Sequence, residues 1–169
     1  MAKKTGMAKK SKGARSFLKD DVSFSLLAIC SAEPDTRMAW LLNRALHLDF
    51  VHRCDVCGEE ARRRQEQPLL DGSGSESDSE LGEPQQFAIF CAVSSIVNRT
   101  YILITNRQNS KTLIREFAHV DYLLKVPEAL PTKELAKLGA AIRAIPGVLA
   151  CITVAGNFKY SSLLASLEL

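Results

Sequence analysis

One pattern occurs twice in this chain, and the repetition limits the possible folds more than any other feature. A continuous apolar run, Leu26–Cys30 (LLAIC), leads through a loop containing Pro34 into an amphipathic stretch and then a second strand-like run, Asp49–Cys54 (DFVHRC). Tyr122–Val126 (YLLKV) leads in the same way through a proline loop and an amphipathic stretch to Val148–Val154 (VLACITV). The first amphipathic stretch, 36–48, places Met38, Leu41, Leu42, Ala45 and Leu46 on one helical face. The second, 132–145, does the same with Leu135, Leu138, Ala141, Ile142 and Ile145, and Pro146-Gly147 ends it. Asp35 and Thr132 are the expected N-caps. Glu134 in the first turn and Arg143 in the last suit the helix dipole.

Between the two units lie two β-rich runs, Phe87–Val97 and Thr100–Thr105, parted by Asn98 and Arg99, which read as a hairpin. Val22–Cys30 starts as an alternation (Val22, Phe24, Leu26) and turns continuously apolar, the pattern of a strand buried on both faces. The expected fold is α+β. Two helices pack on one face of a mostly antiparallel sheet, with two strand–helix–strand units flanking a hairpin, as in a ferredoxin-like sandwich. The segment around Ile145-Pro146-Gly147-Val148 also resembles that element of ACT regulatory domains.

Charge divides the chain. Seven of its 22 Lys and Arg residues lie in 1–19, which holds no acid; the other 15 face 19 acidic residues, a balance of −4. Residues 1–19 are therefore expected to be a basic disordered tail, and a domain covering 20–155 to be mildly acidic. Met1–Lys4 returns as Met7–Lys10, which makes Met7 a second candidate start. Residues 65–86 hold six acids, no base, four serines and two prolines, the composition of a disordered acidic insert. Residues 156–169 are expected to be a C-terminal tail.

Two blocks carry a family resemblance. Ile114, Glu116, Val120, Asp121 and Tyr122 stand at the spacing of the motif that names the IPExxxVDY family of small bacterial proteins; Arg115 replaces the motif's proline. Arg37, Ala39, Trp40, Leu41, Leu42 and Asn43 (RMAWLLN) resemble a second block of that family. The resemblance spans about Val22 to Val154, and it is to a family without an assigned activity.

The five cysteines are an odd number, and Cys30, Cys91 and Cys151 sit in apolar runs where a thiol acts as a small hydrophobe. A reducing cytoplasm is the expected setting. The basic start followed by Phe24–Ala32 has the outline of a secretory signal with Cys30 at a lipoprotein position. Asp20 and Asp21 before a short run, and the bulky Ile29, favour a buried strand. No apolar run approaches the ~18 residues of a membrane helix.

Candidate chemistry is sparse. Cys54 and Cys57 have ligand or redox spacing, but no second pair completes a zinc site, and they read as incidental. Glu116 and Asp121 would form a carboxylate pair only across a turn near His119. Otherwise they satisfy backbone donors at a loop–strand junction, with the ring of Tyr122 in the core, and that reading is preferred. Trp40, Asn43, Arg44 and His47 lie opposite the apolar stripe of the first helix and form the candidate partner surface. Phosphate loops, nucleophile elbows and zinc-protease motifs are absent from the sequence. No catalytic residue, cofactor or metal is expected. The expected function is a cytoplasmic protein-interaction module or self-associating protein. The alternatives are an ACT-like small-ligand regulatory domain and an RNA-associated protein using Lys3, Lys4, Lys9, Lys10 and Lys12.

Overall fold

The structure of the protein is a computed structural model, described here over residues 24–57 and 86–154 and at Leu164. The apolar runs become strands and the amphipathic stretches helices: β1 (Ser25–Ser31), α1 (Asp35–Leu46), β2 (Val51–Cys57), β3 (Gln86–Ser94), β4 (Arg99–Thr105), β5 (Arg107–Gln108), β6 (Lys111–Thr112), β7 (Tyr122–Val126), α2 (Thr132–Arg143) and β8 (Val148–Val154). Six strands form one sheet in the order β2-β3-β4-β7-β1-β8, with β5 and β6 as a separate two-stranded hairpin. Every neighbouring pair of the large sheet is antiparallel. It follows that β1 and β2 run parallel to each other, as do β7 and β8. The chain is thus two split β–α–β units joined in sequence by the hairpin β3–β4; in the sheet the hairpin lies between β2 and β7, and β1 lies between β7 and β8. This is the α+β arrangement expected.

The middle strands are apolar on both faces because both faces are covered. On one side α1 and α2 seal Leu27, Ile29, Phe90, Leu103, Leu124 and Val126 with Met38, Leu42 and Ile142. On the other, Leu26, Phe87, Ile89, Ile102, Ile104 and Leu123 meet Leu113, Ile114 and Val120 from the β4–β7 connection, together with Leu164. Gly139 faces the sheet from α2, and a Cβ there would make only ordinary contact with Leu27, at 3.8 Å.

Several local expectations change. Neither helix has a side-chain cap; Pro34 and Pro131 hold the N-cap positions in extended conformation, moving Asp35 and Thr132 one residue inside. The fixed φ of proline presets the entry that a capping side chain would otherwise provide. Ala45 is exposed and Ala39 is buried in its place, so the buried stripe of α1 is rotated toward Met38, Ala39 and Leu42. The β3–β4 turn spans residues 95–98, with Asn98 at φ 46, so Ile96 and Val97 leave the strand and are exposed. β3 begins at Gln86, one residue inside the segment expected to be insert; the remainder of that segment and residues 1–19 lie outside the described residues. Of residues 156–169 only Leu164 is among the described residues; it is fully buried, and its carbonyl accepts a hydrogen bond from the Lys125 ammonium at 2.6 Å.

Candidate functional site

The motif residues do structural work around the end of β1. Asp121 precedes β7, and its Oδ2 accepts a hydrogen bond from the Ser31 amide at 2.9 Å, while its other oxygen lies 3.7 Å from the Arg107 guanidinium. Its own amide donates to the Ile29 carbonyl. Ser31 lies beyond the last β1–β7 pair, Ile29 with Tyr122, so its amide has no strand partner on that side and the carboxylate supplies one. The Tyr122 ring is buried, and its hydroxyl donates to the Glu33 carbonyl. Burial, followed by the charges of Asp35, Asp121 and Glu33, raises its pKa, so it stays a donor. Ile114 and Val120 pack into the core.

Glu116 goes elsewhere. It lies on the single 3-10 turn Arg115–Phe117, exposed to solvent. The turn between Glu116 and Asp121 exists, but Glu116 is exposed on it while the Asp121 carboxylate is engaged with the Ser31 amide and Arg107. Among the described residues no group of three His, Cys, Asp or Glu is set to hold a metal.

Asn106 organises this region, and nothing in the sequence singles it out. It is fully buried at the end of β4. Its amide nitrogen donates to the carbonyls of Phe117 and Val120, and its Oδ1 accepts from the Ile114 amide. Its backbone bonds Asp121 and Leu113. One carboxamide therefore folds the whole 106–121 connection onto the sheet. The signal would have been a lone amide directly after a strand, a pattern too common to be selective.

The thiols are quiet. Cys30, Cys54, Cys91 and Cys151 are free. Burial raises Cys151 to about 11, and Cys30 and Cys91 are raised in the same direction for the same reason. A thiol held protonated is a poor nucleophile. Cys54 and Cys57 both stand within β2 instead of opening a helix, which removes the thioredoxin-type placement.

The candidate partner surface divides. Asn43 leaves it: its Oδ1 accepts the Phe50 amide at 2.6 Å, fixing the α1–β2 corner. His47 ends α1 in the left-handed region at φ 53 with an exposed side chain. Trp40 is 48% exposed, and the Arg44 guanidinium, one turn on, lies 5.0 Å from its ring centroid. Arg37, one turn before, pairs with Glu33 at 2.8 Å. Arg37, Trp40, Arg44 and His47 thus form one outward stripe.

A second feature was not anticipated. Where the N-terminus of α1 meets β2 and β3, an open cleft of about 370 Å³ is lined by Asp35, Thr36, His52, Asp55, Gln86, Ala88, Phe90 and Gln108. His52 Nε2 bonds Asp55 Oδ1 at 2.8 Å, and the His52 ring stands edge-on to Phe90. Gln108 is placed there by the β5–β6 hairpin. Asn109 and Ser110 both take positive φ in its two-residue turn, as a hairpin connection of this length demands.

No family model, curated protein or solved structure matches this chain.

Proposed function

We propose that this protein is a bacterial, cytoplasmic interaction module of the IPExxxVDY type, which engages a protein partner through the outer stripe of α1. One observation carries this reading: a tryptophan half-exposed on the outer side of a helix, with an arginine over its ring. Trp and Arg dominate the energetic centres of protein interfaces, because a flat ring and a weakly hydrated guanidinium lose little on desolvation. Three further observations support it. The motif carboxylates serve the backbone or solvent, the free thiols suit a reducing compartment, and no helix among the described residues is long and apolar enough to cross a membrane.

The test is Trp40→Ala. Removing a buried tryptophan costs about 3–5 kcal/mol, whereas a surface change stays within about 0.5 kcal/mol. The expected result is an unchanged urea melt together with loss of self-association or of a co-purifying partner seen with the parent. A loss of several kcal/mol in a protein that is monomeric and alone throughout would remove the reading.

A further inference from the structure

The two edges of the six-stranded sheet are built differently. β2, at one edge, carries His52, Arg53 and Asp55, and its register against β3 shifts between His52 and Cys54, leaving Arg53 as the extra residue. Charge and a bulge are common means by which a sheet refuses a further strand. β8, at the other edge, reads VLACITV, with no charge, proline or glycine. Its one irregularity falls at Leu149, near its start, and Ala150–Val154 pair with β1 in unbroken register. Among the described residues no strand pairs with its outer side, and Ile152 is 59% exposed.

The backbone of that edge is set to receive another strand. Ile29, opposite Cys151, turns its carbonyl toward β7, where the Asp121 amide donates to it. The Ile29–Cys151 pair is therefore not bonded across the ladder, and Cys151 and Thr153 direct both N–H and C=O away from β1. Arg143 agrees with this: its guanidinium reaches from α2 to the Cys151 carbonyl at 3.0 Å. A carbonyl has two lone pairs, so Arg143 and a strand N–H can share it. The flank of α2 beside the edge is also shaped for a close neighbour. Gly139 faces Leu27, while Leu135, Leu138 and Ile142 pack into the core. On the side that Arg143 marks, Ala136, Ala140 and Ala144 follow one another at successive turns, all exposed and offering only methyl groups.

We propose that the protein self-associates through this edge, β8 pairing antiparallel with β8 of a second copy about a two-fold axis at Ile152. Cys151 then exchanges both backbone hydrogen bonds with Thr153 of the second copy, and Ile152 meets its own symmetry mate in the closely spaced position. Each Arg143 stays on its own Cys151 carbonyl, the alanine rows of the two α2 helices lie side by side, and one sheet runs through both copies. A second copy is the occupant because the strand is its own complement. Without charge it does not repel itself, and Cys151-Ile152-Thr153 reads small, branched, small in either direction. A two-fold contact of this kind closes on itself, so it yields a dimer and no fibre. The edge shares no residue with the outer stripe of α1, and neither reading depends on the other.

Sedimentation of the full-length protein tests the proposal. The parent should be a dimer at about 100 μM. Ile152→Lys sets like charges together on the axis, and Thr153→Pro removes an outward N–H that β1 does not use. Each should raise the dimer Kd by roughly tenfold or more. Ile152→Cys, treated with oxidised glutathione, should join two copies through position 152, identified by peptide mass, because directly opposed residues stand closest there. Self-association kept by Trp40→Ala and lost by Ile152→Lys is the expected pair of results, and it leaves the α1 stripe to a different protein. A parent that stays monomeric up to about 1 mM would overturn the proposal. So would a dimer unaffected by both Ile152→Lys and Thr153→Pro, or an Ile152→Cys dimer that forms no bridge at that position. A dimer lost in Trp40→Ala and kept in Ile152→Lys would overturn it too, and would move the interface to α1. If Thr153→Pro melts early, Ile152→Lys, at a side chain already in solvent, decides together with the cross-link.

Discussion

Both faces of the central strands are buried, but they are sealed by different means. The helix-side cover consists of two amphipathic elements whose backbone groups are satisfied internally, so apolar contact alone can hold it. The other cover is a 16-residue connection, 106–121, with no regular structure beyond a two-stranded hairpin and one 3-10 turn. Its backbone groups must find partners individually: the Asn106 side chain supplies them at Ile114, Phe117 and Val120, while the Asp121 carboxylate ties the end of the connection to the Ser31 amide of β1. A helical cover therefore distributes its stability over many side chains, while an irregular one concentrates it in a few polar residues.

That contrast predicts its largest effect at Asn106. Asn106→Ala leaves the Ile114 amide and the Phe117 and Val120 carbonyls without their partner. About 3–5 kcal/mol should be lost in a urea melt, at least matching Leu42→Ala on the helix side. A loss near 1 kcal/mol would mean that Leu113, Ile114 and Val120 hold the connection by apolar contact, and the contrast would collapse.

Next comes the dryness of the helix cover, read through Cys151. Its folded pKa of about 11 exceeds the ordinary thiol value of 9.0. The unfolded chain thus loses its thiol proton first as pH rises. The contribution is complete below pH 9 and disappears as pH climbs toward 11, amounting to roughly 2–3 kcal/mol. Cys151→Ala should show a shallower fall over that interval in chemical melts. An identical slope would mean that water reaches this cover.

The smallest expected effects separate the two motif acids. Asp121→Ala orphans the Ser31 amide at a buried strand end and should cost about 1–2 kcal/mol. Glu116→Ala should stay within about 0.5 kcal/mol. Comparable losses at both would show a shared role that their separate positions do not suggest.

The same contrast explains what was legible in the sequence. The period-3.6 stripes of α1 and α2, and strands apolar on both faces, announced the helix-covered sheet, because burial imposes a pattern on many residues at once. The continuously apolar half of Val22–Cys30 also implied burial on both faces, without saying what forms the second cover. Asn106 was invisible because a single amide creates no periodicity. Lys125, inside YLLKV, sits on the loop-covered face, where its ammonium lies 5.6 Å from the Phe24 ring and bonds Leu164. Strand alternation gave its direction, but only the fold supplies its partners. The outward position of Trp40 followed from helical geometry alone, whereas the removal of Asn43 from that surface depended on the Phe50 amide, a contact made across the α1–β2 corner. The cleft depends on Gln108 meeting Asp55 and Asp35 from distant segments, a juxtaposition that no local pattern encodes.

The place of β1 bears on how the chain reaches this state. It is the earliest described strand, yet its partners on both sides, β7 and β8, are made late. Ser25 bonds Glu128 across 103 residues, and Ser31 bonds Gly147 across 116. The β3–β4 hairpin needs only a short closure and can form alone, while β1 must wait for nearly the whole polypeptide. Pairings this distant slow folding, and they leave an uncharged strand, SLLAICS, without neighbours during synthesis. The interval between the emergence of β1 and the arrival of β7 is thus when this chain is most exposed to aggregation or most in need of a chaperone.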